Sequence, residues 1–239
     1  MEEKQTQIGQ EGDSMNFSYA TRAMNTEPDS DQLEKYDEYP TGGNPIMYVF
    51  ILLTIALLGF TIYLFTTGHW VWGIVGILVS LILAFLSYMF GNASLKKSVA
   101  YENGLLIPAI IVNTNPIQIL AIADMSADEA VDPVYGVKKM TVNNLPNHVV
   151  EKGEKVPCVA LFGMAYKGYR RMFEPRPVSW GYKNKDVIQE AIQAISQDDV
   201  EGKFENEWEM LYEIETKYSD KIKDDELTFF DKDLEQLDM

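Results

Sequence analysis

Two long apolar runs constrain this chain more than any other feature of its sequence. Residues 46–65 and residues 71–90 each form a run of twenty residues without a charged side chain. At about 1.5 Å of rise per residue, a helix of that length crosses a hydrocarbon core about 30 Å thick. Only residues 66–70 join the two runs, so the second helix has to return beside the first. The sequence therefore predicts a transmembrane helical hairpin over residues 46–91; the alternative is a very apolar core hairpin in a soluble protein.

Small residues recur along the second predicted span at steps of three or four, which keeps them on one face of a helix. They are Gly73, Gly76, Ser80, Ala84, Ser87 and Gly91. Small side chains let another helix backbone approach closely in lipid. Two interpretations stay open: the face packs against the first span of the same chain, or it forms a subunit interface or pore lining.

The charges that flank the spans predict their orientation. Lys96 and Lys97 directly follow the second span, whereas the connecting loop has no Lys or Arg. Positive charge stays on the cytoplasmic side, so the second span ends there and the hairpin returns the amino terminus to the same side. The single cysteine, Cys158, also suits a reducing compartment. We expect an integral membrane protein with both termini in the cytoplasm.

The formal net charge of -16 is concentrated at the two ends of the chain. Residues 1–45 hold ten Asp or Glu against three Lys or Arg, and residues 219–239 hold eight against three. We expect a disordered acidic tail over residues 1–45, because it has too few aliphatic residues to form a core, and a second acidic tail over residues 219–239. Such charge argues against binding to nucleic acid.

Four apolar residues are spaced by three or four along the carboxy-terminal tail. They are Leu227, Phe230, Leu234 and Leu237. This spacing is typical of an amphipathic helix that docks on a protein partner, although the segment could equally pack back on its own domain.

Short apolar runs separated by turns follow the hairpin from about residue 104. Strands are predicted near residues 104–112, 117–123, 134–142 and 156–165. Two helices come next, one capped by Asn184 and the other by Asp198 or Asp199. Strands followed by helices indicate an α+β domain over residues 98–218, built on a small antiparallel β-sheet or barrel with two C-terminal helices.

Few residues of the chain suit catalysis. No spacing matches a zinc site, a phosphate loop or a dinucleotide fingerprint. A nucleophilic pair of Cys158 and His148 would lack an orienting acid and an oxyanion loop, so we expect Cys158 to be a buried small hydrophobe. We therefore predict no catalytic residue, no cofactor and no metal site.

One basic stretch stands out in this acidic chain. Residues 167–185 hold six Lys or Arg against Glu174 alone, with aromatic residues between them. The candidates for contact with an anionic surface are Lys167, Arg170, Arg171, Arg176 and Trp180. Four interpretations stay open: an exposed hairpin whose aromatics fill the core, contact with anionic lipid headgroups, docking of the protein's own acidic tail, and binding to nucleic acid.

The hairpin and three later runs together resemble a bacterial family of two-span, membrane-anchored proteins with a domain of unknown function. The runs are residues 104–112, 156–161 and 175–181, and the resemblance covers residues 46–215. It implies a bacterial cell membrane and no activity.

We therefore expect a non-enzymatic membrane-anchored protein that presents a cytoplasmic α+β domain and acidic tails to protein partners or to a second copy. The alternative is a homo-oligomeric channel or transport-accessory subunit with its second span at the subunit interface or pore.

Overall fold

The computed structural model describes residues 24–39, 45–92, 97–127, 131–197 and 203–238. They belong to two units: a helical hairpin within residues 39–96, and an α+β domain built from the chain up to Glu38 and from Lys97 onward. The hairpin is thus inserted into the sequence of the domain rather than placed before it.

A short helix, α1 (Ser30–Tyr36), comes first in the chain. The hairpin then consists of helix α2 (Pro45–Thr66) and helix α3 (Trp70–Asn92). Both are long and apolar enough to cross a membrane. Most of their large apolar side chains, such as Leu52 and Tyr88, are exposed. A core hairpin of a soluble protein would bury these side chains, so their exposure favours the membrane hairpin.

Helix α4 (Lys97–Asn103) leads into an open sheet of seven antiparallel strands. The first four are β1 (Leu105–Thr114), β2 (Ile117–Asp124), β3 (Val134–Thr141) and β4 (Lys155–Phe162). The other three are β7 (Phe173–Pro177), β8 (Leu227–Asp231) and β9 (Gln236–Leu237), and the spatial order is β7-β4-β1-β2-β3-β8-β9. Two short strands, β5 (Ala165–Tyr166) and β6 (Tyr169–Arg170), form a separate hairpin.

This architecture confirms the predicted α+β class, with an open sheet rather than a barrel. The central strand β1 is buried from Leu105 to Ile111 without alternation, which requires cover on both faces of the sheet. Helix α5 (Lys185–Ser196) packs on β1 and β4, and helix α6 (Glu207–Tyr218) packs on β1 and β2.

The caps of the two helices match the prediction in one case of two. Asn184 caps α5, and its side chain accepts a hydrogen bond from the Asp186 amide at 3.0 Å. Helix α6 instead begins after Asn206, whose side chain accepts from two backbone amides. The predicted caps Asp198 and Asp199 lie outside the described residues.

An amino-terminal strap, residues 24–38, packs on the domain. Its Met24 and Leu33 are buried. The Asp29 amide donates to the Gly181 carbonyl at 2.8 Å, and the Gln32 side-chain amide donates to a main-chain carbonyl in the same region. These contacts correct the expectation of a disordered tail for residues 24–38, because a few apolar side chains and main-chain bonds suffice when the receiving surface is already folded. Residues 1–23 and 40–44 lie outside the described residues.

The carboxy-terminal segment is part of the sheet. Strand β8 pairs with β3 on one side and with β9 on the other. The expected amphipathic helix over Leu227, Phe230, Leu234 and Leu237 is therefore corrected to two strands that pack back on the domain. Phe230 and Leu234 are fully enclosed, whereas the other two residues are half-buried.

Candidate functional surfaces

Four of the six small residues on α3 are buried against α2. These four are Gly73, Gly76, Ser80 and Ser87. Ala84 is exposed, and the surroundings of Gly91 lie outside the described residues. The structure thus places most of the predicted face within the chain.

At two glycines of α3, the side chains of α2 leave no room for a Cβ atom. A Cβ on Gly73 would lie 2.7 Å from the ring of Phe65, and a Cβ on Gly76 would overlap the hydroxyl of Thr61. That hydroxyl donates to the Leu57 carbonyl at 2.8 Å, so it is satisfied within its own helix. Only a residue without a side chain allows this contact at position 76.

The two segments of the α+β domain that flank the inserted hairpin contact each other. The ammonium group of Lys97, which follows the hairpin, donates to the backbone carbonyl of Asp37, which precedes it. Lys96 lies outside the described residues. A segment that leaves one domain and returns to it crosses a membrane an even number of times, as two spans do.

The predicted basic stretch divides into a buried and an exposed part. Arg170, Arg176 and Trp180 are buried, and the Trp180 indole donates to the Asn144 carbonyl at 2.7 Å. The structure therefore corrects their assignment to an anionic surface. Lys167 and Arg171 are exposed as expected.

Arg176 forms an ion pair inside the domain. Its Nη1 lies 2.8 Å from Asp37 Oδ2 and its Nη2 lies 3.3 Å from Glu174 Oε2. The side chain of Asp37 is 0% exposed and that of Arg176 is 10% exposed. This pair joins the strap to strand β7.

Two further acidic residues of the strap contact the basic stretch. The Asp29 carboxylate accepts from the Lys183 amide at 3.0 Å, and Asp31 lies 3.9 Å from the Lys183 ammonium. Residues 29–37 of the acidic amino-terminal tail therefore contact the basic stretch, as one of the four interpretations proposed. Periodicity and charge counts had not singled out Asp37, because a lone aspartate in an acidic tail carries no local signal.

Tyr101 lies beside this ion pair in the interior. Burial raises the pKa of its phenol well above the usual value, and the nearby Asp37 carboxylate adds to the effect. Its hydroxyl is enclosed, and no described residue forms a hydrogen bond with it. Its ring packs edge-on against Tyr182, with 6.2 Å between ring centroids.

Cys158 and His148 each have a different partner. The Cys158 thiol is fully buried in β4, its hydrogen-bond acceptor is the Val156 carbonyl at 3.6 Å, and burial raises its pKa. His148 Nδ1 lies 3.5 Å from Glu154 Oε1. Burial lowers the pKa of this imidazole, and the Glu154 carboxylate opposes the shift. No hydrogen bond joins the thiol to the imidazole, which a nucleophile and its base require.

A cavity of about 160 Å³ lies beside α6, and ion pairs occupy its polar wall. Lys139 lies 3.1 Å from Asp224, and Lys152 lies 2.7 Å from Glu215. Ligand pockets usually measure about 300–1,000 Å³, so this cavity is small for a substrate. Within the described ranges, no three His, Cys, Asp or Glu side chains are grouped to hold a metal ion.

The β5–β6 hairpin, residues 163–172, carries three exposed large apolar side chains, including the most exposed one in the described part of the α+β domain. Met164 is 94% exposed, Tyr166 is 59% exposed and Met172 is 57% exposed. Of the aromatics in the basic stretch, Phe173, Trp180 and Tyr182 fill the core, but Tyr166 does not.

A model of a family described as a protein of unknown function, DUF3239, matches residues 93–217. The matched range spans 217 − 92 = 125 of the 239 residues, which is more than half of the chain. The chain belongs to this family. The expected family of proteins with a domain of unknown function is thereby confirmed.

The DUF3239 match covers the domain from α4 to α6 and begins after the hairpin, so its extent is shorter than the expected residues 46–215. The strap and strand β8 lie outside it, although both pack on the matched region.

One solved structure similar to the chain is that of a candidate membrane protein from Corynebacterium diphtheriae. The two are 20% identical, the alignment covers 53% of this chain and 98% of the other, and the TM-score is 0.42. None of the curated proteins is a significant match.

Proposed function

We propose that this DUF3239 protein is a non-enzymatic, membrane-anchored protein whose α+β domain lies on the cytoplasmic side and binds a protein partner. The observation that carries the proposal is the insertion of the hairpin into the domain. Contacts from Asp37 to Lys97 and Arg176 tie the chain before the hairpin to the chain after it. Two spans then hold the domain at the membrane through two connections rather than one flexible linker.

The side chains suited to chemistry support a non-enzymatic role. The Cys158 thiol is sealed in the sheet, the His148 imidazole faces Glu154, and the Arg176 guanidinium pairs with the strap. Each of these three groups has a structural contact, and none of them lines the cavity beside α6.

An exposed patch next to α6 supports a protein partner. The β3–β4 loop patch consists of Val149, Val150 and Tyr212, all exposed. Tyr212 donates to the Gly153 carbonyl at 2.9 Å, which fixes the loop against the helix. Adjacent apolar side chains on an ordered loop are a common form of interaction surface.

Charge around the spans supports the cytoplasmic orientation. The loop at residues 67–69 has no Lys or Arg, whereas Lys97 follows the end of α3 after four residues. The channel alternative has less support, because four of the six small residues that would line an interface pack against α2.

Site-specific photo-crosslinking in native membranes tests the proposal. A photoreactive residue replaces Val149 in the full chain, and the exposed Glu190 on α5 is the matched control position. We expect a discrete adduct with another protein from position 149 and none from position 190. An absence of any adduct above the control at position 149 would contradict the proposed protein partner. An adduct with the mass of two copies of the chain would identify the partner as a second copy.

A further inference from the structure

The β5–β6 hairpin is hydrogen-bonded to the rest of the domain along one of its two strands. Lys167 and Gly168 form its two-residue turn, both with positive φ (54° and 84°), as the tight hairpin geometry requires. Strand β6 is held by the segment before β3: the Ala127 amide donates to the Gly168 carbonyl, and the Arg170 amide donates to the Met125 carbonyl, each at 2.8 Å. The outer strand β5 is exposed. The hairpin should therefore lose little conformational entropy when it binds another surface.

The exposed face of the hairpin combines apolar and cationic side chains. The strand register pairs Ala165 with Arg170, so Met164 lies opposite Arg171 on the same face as Tyr166. The Lys167 ammonium is 5.4 Å from the Tyr166 ring centroid, and the Arg171 guanidinium is 6.0 Å from it. An aromatic ring flanked by cations beside a protruding methionine matches the composition of the membrane interface.

The local charge contrasts with that of the chain. Residues 163–172 contain three Lys or Arg and no Asp or Glu, in a chain of formal net charge -16. This segment is therefore where the domain can approach an anionic surface without repulsion.

We propose that the β5–β6 hairpin rests on the anionic surface of the bilayer. Met164 and Tyr166 would enter the interfacial layer, and Lys167 and Arg171 would contact lipid phosphates. The inference rests on the proposed membrane anchoring and specifies a second contact of the domain. A bilayer is favoured over other occupants because the chain itself supplies one: four residues separate Asn92 at the end of α3 from Lys97 at the start of α4. Such a short linker gives a high effective concentration of lipid surface.

Nucleic acid fits this face less well, because the acidic remainder of the chain repels it. Addition of a partner strand at β5 also fits less well, because that strand is only two residues long.

A probe on the hairpin of the full chain tests the contact. Met164→Cys is labelled with an environment-sensitive fluorophore, while the enclosed Cys158 stays unlabelled in the folded protein. Val149→Cys is the matched control, because Val149 is also exposed and apolar but precedes β4, whereas the β5–β6 hairpin follows it. Both proteins are reconstituted in vesicles of equal parts phosphatidylcholine and phosphatidylglycerol, and in phosphatidylcholine alone. Quenching by nitroxide-labelled lipid reports lipid contact, and quenching by acrylamide reports exposure to water.

We expect stronger lipid quenching and weaker acrylamide quenching at position 164 than at position 149 in the anionic vesicles. Lys167→Gln and Arg171→Gln should each lower the population in lipid contact about fivefold. The probe at position 149 should be unchanged in these variants, which shows that the domain remains folded.

Equal quenching at the two positions in anionic vesicles would overturn the proposal. So would equal lipid quenching at position 164 in the anionic and the uncharged vesicles. Either result would leave the proposed function intact if the chain still floats with the vesicles and the adduct at position 149 persists. A chain that fails to float with vesicles would overturn the membrane anchoring itself.

Discussion

Removing the guanidinium of Arg176 should destabilise the α+β domain more than removing the charge of Asp37. In Arg176→Met, the Asp37 carboxylate stays in a site where its side chain is 0% exposed, without the cation at 2.8 Å. Breaking a buried pair in this way costs about 3–5 kcal/mol, because the buried carboxylate loses the cation beside it. In Asp37→Asn, the amide oxygen still accepts a hydrogen bond and Glu174 still lies 3.3 Å from Arg176, so we expect a loss of about 1–2 kcal/mol.

Removing both charges together should recover most of the loss. The double variant Asp37→Leu with Arg176→Met places two apolar side chains in the same space, and such replacements of buried ion pairs are often neutral or stabilising. We therefore expect the double variant to unfold within about 1 kcal/mol of the wild type.

Thermal unfolding of the full chain in detergent measures these differences. A domain of this size loses about 2–4 °C per kcal/mol, so Arg176→Met should lower the transition by about 10 °C. Trypsin cleavage after Lys35, which lies in the strap, gives a second readout and should accelerate in the same order of variants. The reasoning is refuted if Asp37→Asn is as destabilising as Arg176→Met, or if the double variant is as unstable as Arg176→Met.

Three further predictions test other parts of the structure. Gly76→Leu should destabilise the membrane hairpin by about 1–3 kcal/mol in a detergent unfolding assay, because a side chain overlaps α2, whereas Gly59→Leu should be neutral because nothing lies within 4 Å of its Cβ position. Tyr101→Phe should leave the stability of the domain unchanged, because no described residue forms a hydrogen bond with the Tyr101 hydroxyl. Tyr182→Phe should lower the stability by about 1 kcal/mol, because the Tyr182 hydroxyl donates to a carbonyl at 2.7 Å. Burial lowers the pKa of His148 below its ordinary value of about 6.5, so the unfolded chain takes up a proton before the folded chain does. The stability of the domain should therefore fall as the pH drops below that value. In His148→Gln, the midpoint of thermal unfolding should no longer show this pH dependence.

Each of these predictions has a distinct contrary outcome. Equal unfolding of the two glycine variants would mean that α2 and α3 do not pack as described. A stability loss in the Tyr101 variant as large as that in the Tyr182 variant would mean that its hydroxyl has a partner. A pH dependence that persists unchanged in the His148 variant would assign the effect to other groups.

The sequence predicted the features that depend on neighbours along the chain. The two spans, the Asn184 cap and the main strands follow from runs, spacings and capping residues within a few positions of one another. The helical spacing in the last segment misled for the same reason: Leu227 and Phe230 fit a helix by spacing, but Phe229 is also buried and the segment extends a sheet. A short apolar pattern does not distinguish a helix from an edge strand until its partner strand is known.

The sequence predicted which stretch contains the candidate surface residues, but not which of those residues are exposed. The sequence marked Arg170, Arg171 and Arg176 together as a cationic stretch, but the strand register alternates their directions and the strap covers one of them. Exposure on the β5–β6 hairpin is therefore a product of tertiary packing rather than of composition.

The sequence alone determined the membrane hairpin. The length of an uncharged run can be read from neighbouring residues and compared directly with the thickness of a bilayer. What only the tertiary structure decided is that the strap and the last strands belong to the α+β domain, whose sequence the hairpin interrupts. Arg176 and Asp37 are 139 positions apart, and their pairing depends on a folded sheet that brings them within 2.8 Å. Local periodicity does not predict such a contact, because the buried charge pair forms only when both segments are in place.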